Sequence, residues 1–270
     1  MLSKDFLEKL YNRYNKKSFV NSDPIQFLYR YDKAPDIEIA GLIASSLAYG
    51  RVAGILSSVS KVLNKMKPSP YSFLVTNGRE ELGIVFKGFK HRFTTDKELT
   101  NFLLAIKQII RHFGSLENCF AEGFNEQDDT IMSALNIFVH KLLEGLDGRH
   151  KNPPETFSKS SLLPDPSKGS ACKRLNMFLR WMVRKDNIDP GIWEKVPASK
   201  LIMPIDVHIH RISLKYGLTM RKSTDLKTAV EITKSFRRLN PDDPVKYDFA
   251  LTRPGIMDDK ELKQLLELSA

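Results

Sequence analysis

The chain has 270 residues, 41% hydrophobic and 27% charged, enough to bury a substantial core as one large domain or as two lobes. Its 42 Lys and Arg against 32 Asp and Glu leave a formal charge of +10, which points to an anionic partner, with nucleic acid first. The only two cysteines, Cys119 and Cys172, exclude a disulfide framework, a CxxC site and a four-cysteine zinc or iron–sulfur centre, so no cofactor is expected and a reducing, cytoplasmic setting fits.

The first segment, MLSKDFLEKLYNRYNKK, is charged throughout and lacks the apolar stretch of a signal peptide. No run of about 18 apolar residues occurs, so no membrane contact is expected. Leu2, Phe6, Leu10 and Tyr14 recur at helical spacing and predict a first amphipathic helix. Asp36 precedes IEIAGLIASSLAYG, where Ile37, Ala40, Ile43, Ala44 and Ala48 form one apolar face that stops at Gly50. A helix over 52–66 ends at Pro68 and Pro70. Another spans 96–113 behind the TTDKE start, on Leu99, Phe102, Leu103, Ile106 and Ile110. The same pattern returns over 129–144. From Gly145 to Gly169 the chain is rich in Gly, Pro, Ser and charge and reads as a long loop. Helices are expected again at 171–185, 206–217, 224–239, 244–252 and 258–268, the fourth with Asp243 as N-cap and Pro244 at its first position. Strand periodicity is scarce, and the predicted fold class is all-α.

Two segments carry side chains suited to chemistry. In CKRLNMFLRWMVRK, Leu175, Phe178, Leu179 and Met182 make a burying face, while Lys173, Asn176, Arg180 and Arg184 share another. Cations beside Lys173 and the positive helix end favour its neutral amine, the nucleophilic form. The plain alternative is a solvated basic face. In LIMPIDVHIHRISLKYGL, Asp206 is placed to cap a helix bearing Ile209, Ile212 and Tyr216, where backbone N–H groups hold a carboxylate ionised. Such a carboxylate stabilises a sugar cation or moves a proton, although capping alone is the commoner role. Asp206, His208 and His210 also alternate as in some metal-dependent hydrolases. On a helix, however, His208 points away from the other two, and no histidine follows His210.

Taken together, Leu163-Pro164 through Gly169-Ser-Ala-Cys-Lys173, a helix, and then Pro204-Ile-Asp206-Val-His-Ile-His-Arg211 resemble the signature of the helix-hairpin-helix DNA glycosylases. That superfamily includes endonuclease III and the 8-oxoguanine glycosylases. The resemblance is closest over 164–217 and looser over Pro35–Gly50, and AYGRV and DPVKYDFAL resemble an uncharacterised branch of it. It implies a two-lobed helical fold acting on double-stranded DNA as a base-excision glycosylase, with abasic-site lyase chemistry. Lys173 falls on the family's lysine and Asp206 on its aspartate, and no metal is required. Gly169 and Ser170 would form the hairpin that grips phosphate, and Arg180, Arg184 and Arg211 a phosphate track. Trp193 would stack on or beside an extruded base. The hairpin departs from the family pattern in keeping only Gly169 of its glycines, and RKDNIDPGIWEKVPASK lengthens the span from Lys173 to Asp206. The expected organisation is a single unit, with a central bundle plus hairpin over 36–185 and a second lobe from 1–35 with 200–270. A DNA-binding protein that kept this fold without catalysis is the alternative, and a metal-dependent hydrolase is the third.

Overall fold

Helix signals in this chain are mostly local, and the computed structural model, which describes residues 2–144 and 162–256 (the last three as backbone), is predominantly helical. In chain order the elements begin with α1 (Lys4–Tyr14), α2 (Ala34–Ser46), α3 (Val52–Lys65), α4 (Pro70–Thr76) and α5 (Arg79–Val85). A two-stranded hairpin, β1 (Lys90–His91) and β2 (Thr94–Thr95), precedes α6 (Asp96–Phe113), α7 (Leu116–Ala121) and α8 (Met132–Glu144). The series closes with α9 (Lys173–Val183), α10 (Val207–Lys215), α11 (Leu226–Leu239) and α12 (Asp248–Ile256). Among the described residues no helix is long and apolar enough to cross a membrane. The helix expected at 258–268 and residues 145–161 of the expected loop lie outside the described residues.

The chain divides into two compact units. Unit one comprises residues 1–20, 128–131 and 166–270, and unit two residues 21–127 and 132–165. This division differs from the expected one. Residues 166–185, grouped by sequence with the central bundle, belong to unit one, and 21–35, grouped with the second lobe, belong to unit two. Tertiary pairing decides such membership, and local periodicity carries no information about it.

In unit two α6 is specified end to end. Thr95 and Glu98 exchange backbone hydrogen bonds as a capping box, the apolar face is buried, and Gly114 at φ 82° stops the helix. Helix α2 begins two residues before the expected Asp36, with Pro35 in its first turn. Its buried carboxylates serve other helices. Asp36 accepts from Ser69 Oγ (2.6 Å) and the Tyr71 N–H (2.9 Å) at the start of α4, and Glu38 accepts from the N–H groups of Leu116 and Glu117 (3.1 and 2.9 Å) at the start of α7.

In unit one α12 packs on α1 and on α10. Tyr247 donates to Glu8 Oε1 of α1 at 2.6 Å, and Lys246 reaches the same carboxylate at 2.7 Å. The expected start of this last helix is corrected. Residues 244–247 form turns, α12 begins at Asp248, and Asp243 accepts from Arg184 Nε at 2.8 Å instead of capping. A charge-assisted hydrogen bond to a buried guanidinium outcompetes a local cap.

Candidate active site

Everything that shapes the site lies within unit one. The stretch before α9 is a tight turn. Gly169 sits at φ 76°, with open space where a Cβ would stand, so the backbone angle and not crowding calls for glycine. Ser170 pairs with Asp225, and the Gly169 carbonyl accepts from the Leu226 N–H at 2.9 Å, which ties the turn to the start of α11. Cys172 takes a left-handed conformation (φ 47°) and gives α9 no side-chain cap. Lys173 is therefore the first residue of a helix whose positive end carries no capping side chain.

The second half of the site is delivered by a buried extended strap, Leu201–Ile205, whose Met203 N–H donates to Thr233 Oγ1 at 2.9 Å. The strap ends at Asp206, the N-cap of α10. Its Oδ1 accepts from the N–H groups of His208 and Ile209, both at 2.9 Å. That leaves Oδ2, which stands 3.2 Å from Lys173 Nζ. The two side chains remain open to solvent, at 41% for Lys173 and 20% for Asp206. The long insertion between them does not separate them. It folds back instead, because the Gly191 and Trp193 N–H groups donate to the carbonyls of Trp181 and Met182 in the last turn of α9.

Three of the expected DNA contacts are corrected. Arg180 and Arg184 are 4% and 5% exposed and lie in an aspartate cluster. Arg180 pairs with Asp189 (3.2 Å) and Asp248, and Arg184 with Asp189, Asp186 (3.0 Å) and Asp243 (2.8 Å). Their guanidinium groups are spent on carboxylates, so they neither face phosphate nor act as bare cations beside Lys173. Trp193 is 3% exposed and meets Phe178 edge-on, with ring centroids 5.5 Å apart, which leaves no face for a base. Arg211 is exposed on α10, as expected, and Lys222, Lys227, Lys234 and Arg238 are exposed on and before α11. Arg221 is held by Asp225 (2.8 Å) and Arg237 donates to backbone carbonyls, so these two are engaged within the protein. The hairpin also satisfies donors internally: the Gly169 N–H goes to the Pro166 carbonyl and the Cys172 N–H to Ser170 Oγ.

The Asp206, His208 and His210 set does not converge. His208 is exposed, whereas His210 is buried with Nε2 2.8 Å from the Arg221 carbonyl. Among the described residues no group of three or more His, Cys, Asp or Glu is arranged to hold a metal.

Sequence reasoning missed Asp248 and Asp189. Burial pushes the Asp248 carboxyl above its ordinary value; Arg180 opposes the shift, Asp206 adds to it and Lys173 opposes it. Burial likewise raises Asp189 to about 6 against the pull of Arg180 and Arg184. Asp186 also resists burial, but Arg184 and the N–H groups of Asp189 and Ile188 hold it below its ordinary value. For Asp189 the available signal was its place with Asp186 just after a helix whose arginines recur at i and i+4; Asp248, 68 positions from Arg180, carried no local signal.

Residues 23–257 match a family described as a protein of unknown function (DUF2400). No curated protein and no solved structure matches the chain.

Proposed function

We propose that this chain, which belongs to the DUF2400 family, excises a damaged or mismatched base from duplex DNA and opens the resulting abasic site. The observation that carries this reading is the 3.2 Å contact between Lys173 Nζ and Asp206 Oδ2, between partly exposed side chains at the start of α9 and the N-cap of α10. Lys173 passes a proton to Asp206 and attacks the sugar at C1′ as the neutral amine. The new N–C1′ bond replaces the glycosidic bond, and the base leaves with that electron pair and takes up the proton that Asp206 received, which restores the carboxylate. Transfer of a proton from the new ammonium to O4′ as the C1′–O4′ bond opens gives a Schiff base, from which loss of a C2′ proton expels the 3′ phosphate. Asp206 stabilises the cationic sugar on the way. A water activated by Asp206 would release the base without strand cleavage. The non-catalytic alternative needs no contact between the two side chains, so the contact favours the enzyme.

The test is single-turnover incubation with duplexes carrying 8-oxoguanine or uracil. The native chain is expected to release one of these bases and nick the strand, with Lys173→Ala abolishing the nick. Base release and nicking that survive unchanged in Lys173→Ala would remove the lysine from the mechanism.

A further inference from the structure

In unit two β1 and β2 are joined by just Arg92 and Phe93, because His91 pairs directly with Thr94. Two-residue turns take positive φ at one or both central positions and select Gly, Asn or Asp there. Here Arg92 takes it, at 51°, and Phe93 follows with 74% of its surface exposed. Arg92 is not what the turn itself selects. The turn is also braced from beneath. The Tyr49 hydroxyl donates to the His91 carbonyl (3.0 Å) and lies 2.6 Å from Thr94 Oγ1. The His91 ring bridges Ser58 Oγ (2.9 Å) and the Tyr49 carbonyl (3.1 Å). Gly50, at φ 100°, lies against the Arg92 side chain; a Cβ there would stand 2.6 Å from Arg92 Cδ. The AYGRV stretch therefore builds a seat for the turn.

The chemistry around the tip is cationic. Arg92 stands 5.7 Å from the Phe93 ring centroid, and Arg51, Lys87, Lys90 and Lys97, on the flanking segments, are exposed. The acidic neighbours are engaged: Asp96 accepts from the Gly88 N–H (2.7 Å) and Glu98 from the Thr95 N–H (2.8 Å). A protein partner docking on Phe93 would call for a mainly apolar surround, whereas the exposed residues of 87–97 nearest it in sequence are mostly Lys, Arg, Gly and Thr. An exposed aromatic ring on a braced turn, flanked by basic side chains, suits a base and its adjoining phosphates.

We propose that the 90–95 hairpin is a second nucleic-acid contact, in which Phe93 stacks on an unpaired base while Arg92, Arg51 and Lys90 hold phosphates. This surface does not depend on the Lys173–Asp206 reading. The test is fluorescence anisotropy of the full chain with a labelled single-stranded oligothymidine. Phe93→Ala is expected to weaken binding about tenfold, and Ile84→Ala, removing an equally exposed apolar side chain (75%), to leave it unchanged. Lys90→Ala should lower the salt slope by about one counterion. Phe93→Trp should keep affinity and lose emission on binding, since Trp181 and Trp193 are buried and cannot reach a base. Full affinity in Phe93→Ala, or tight binding by Phe93→Trp with unchanged emission, would overturn the proposal. A native chain that does not bind the strand would overturn it too, and would turn attention to a protein partner.

Discussion

Asp206 divides its two oxygens, one on the helix start and one toward Lys173, so that on the proposed mechanism it has a structural and a chemical role. The roles are separable by substitution. Asparagine keeps a capping oxygen but presents an amide where the lysine needs a proton acceptor. Asp206→Asn should therefore keep the stability of the native chain within about 0.5 kcal/mol, the half-open ion pair contributing little, whereas Asp206→Ala should lose about 1 kcal/mol with the cap. Base release should fall about a hundredfold or more in both. Urea unfolding beside single-turnover kinetics checks this. Equal destabilisation by the two substitutions would contradict the capping role, and undiminished base release in Asp206→Asn would contradict the proton acceptor.

At the scale of elements, α9 is held by its cluster rather than by a solvated basic face. Two arginines meet four aspartates, Asp186, Asp189, Asp243 and Asp248, contributed by the segment after α9 and by the approach to α12. A buried cluster of this kind resists removal of a single partner more than it adds net stability. Its pH signature follows from Asp189, whose native value of about 6 lies above its ordinary 3.8. Between those values the folded chain holds the extra proton, so stability falls as pH rises from about 4 to about 6. Asp248, raised for the same reason, adds in the same direction. Asp186, held low, contributes stability that is present above the ordinary carboxylate value and lost as pH falls through its native one. Denaturant unfolding across this range should show the gap between the native chain and Asp189→Asn widening as pH falls from 7 toward 5. A gap that narrows instead would contradict the assignment.

The elements also separate what was legible in the sequence from what was not. Helices α3 and α6 were readable because their apolar residues repeat over three turns or more, and α6 announces its cap. The short helical segments over 17–30, and α4, α5 and α7, are too brief to show a period. Lys173 and Asp206 were legible through a motif that places each at a helix start. Arg180 and Arg184 were misread because a polar stripe looks the same whether water or aspartate covers it, and the covering residues lie up to 68 positions away. Trp193, in a Pro-Gly segment, looked exposed until the segment folded back on the last turn of α9.

For the whole molecule, the charge of +10 survives the loss of Arg180 and Arg184 as contacts. Arg211, Lys222 and Lys227 of unit one and the basic hairpin of unit two are exposed, as the proposed phosphate contacts require. Salt-sensitive DNA binding is therefore expected with or without catalysis and cannot decide between them. The decisive measurement is borohydride trapping of the purified chain on duplex DNA bearing an abasic site, 8-oxoguanine or uracil, followed by identification of the modified peptide. A covalent adduct located at Lys173 and absent from Lys173→Ala is the predicted result. No adduct and no base release on any of these duplexes, from a chain that still binds them, would contradict base excision and leave a DNA-binding protein.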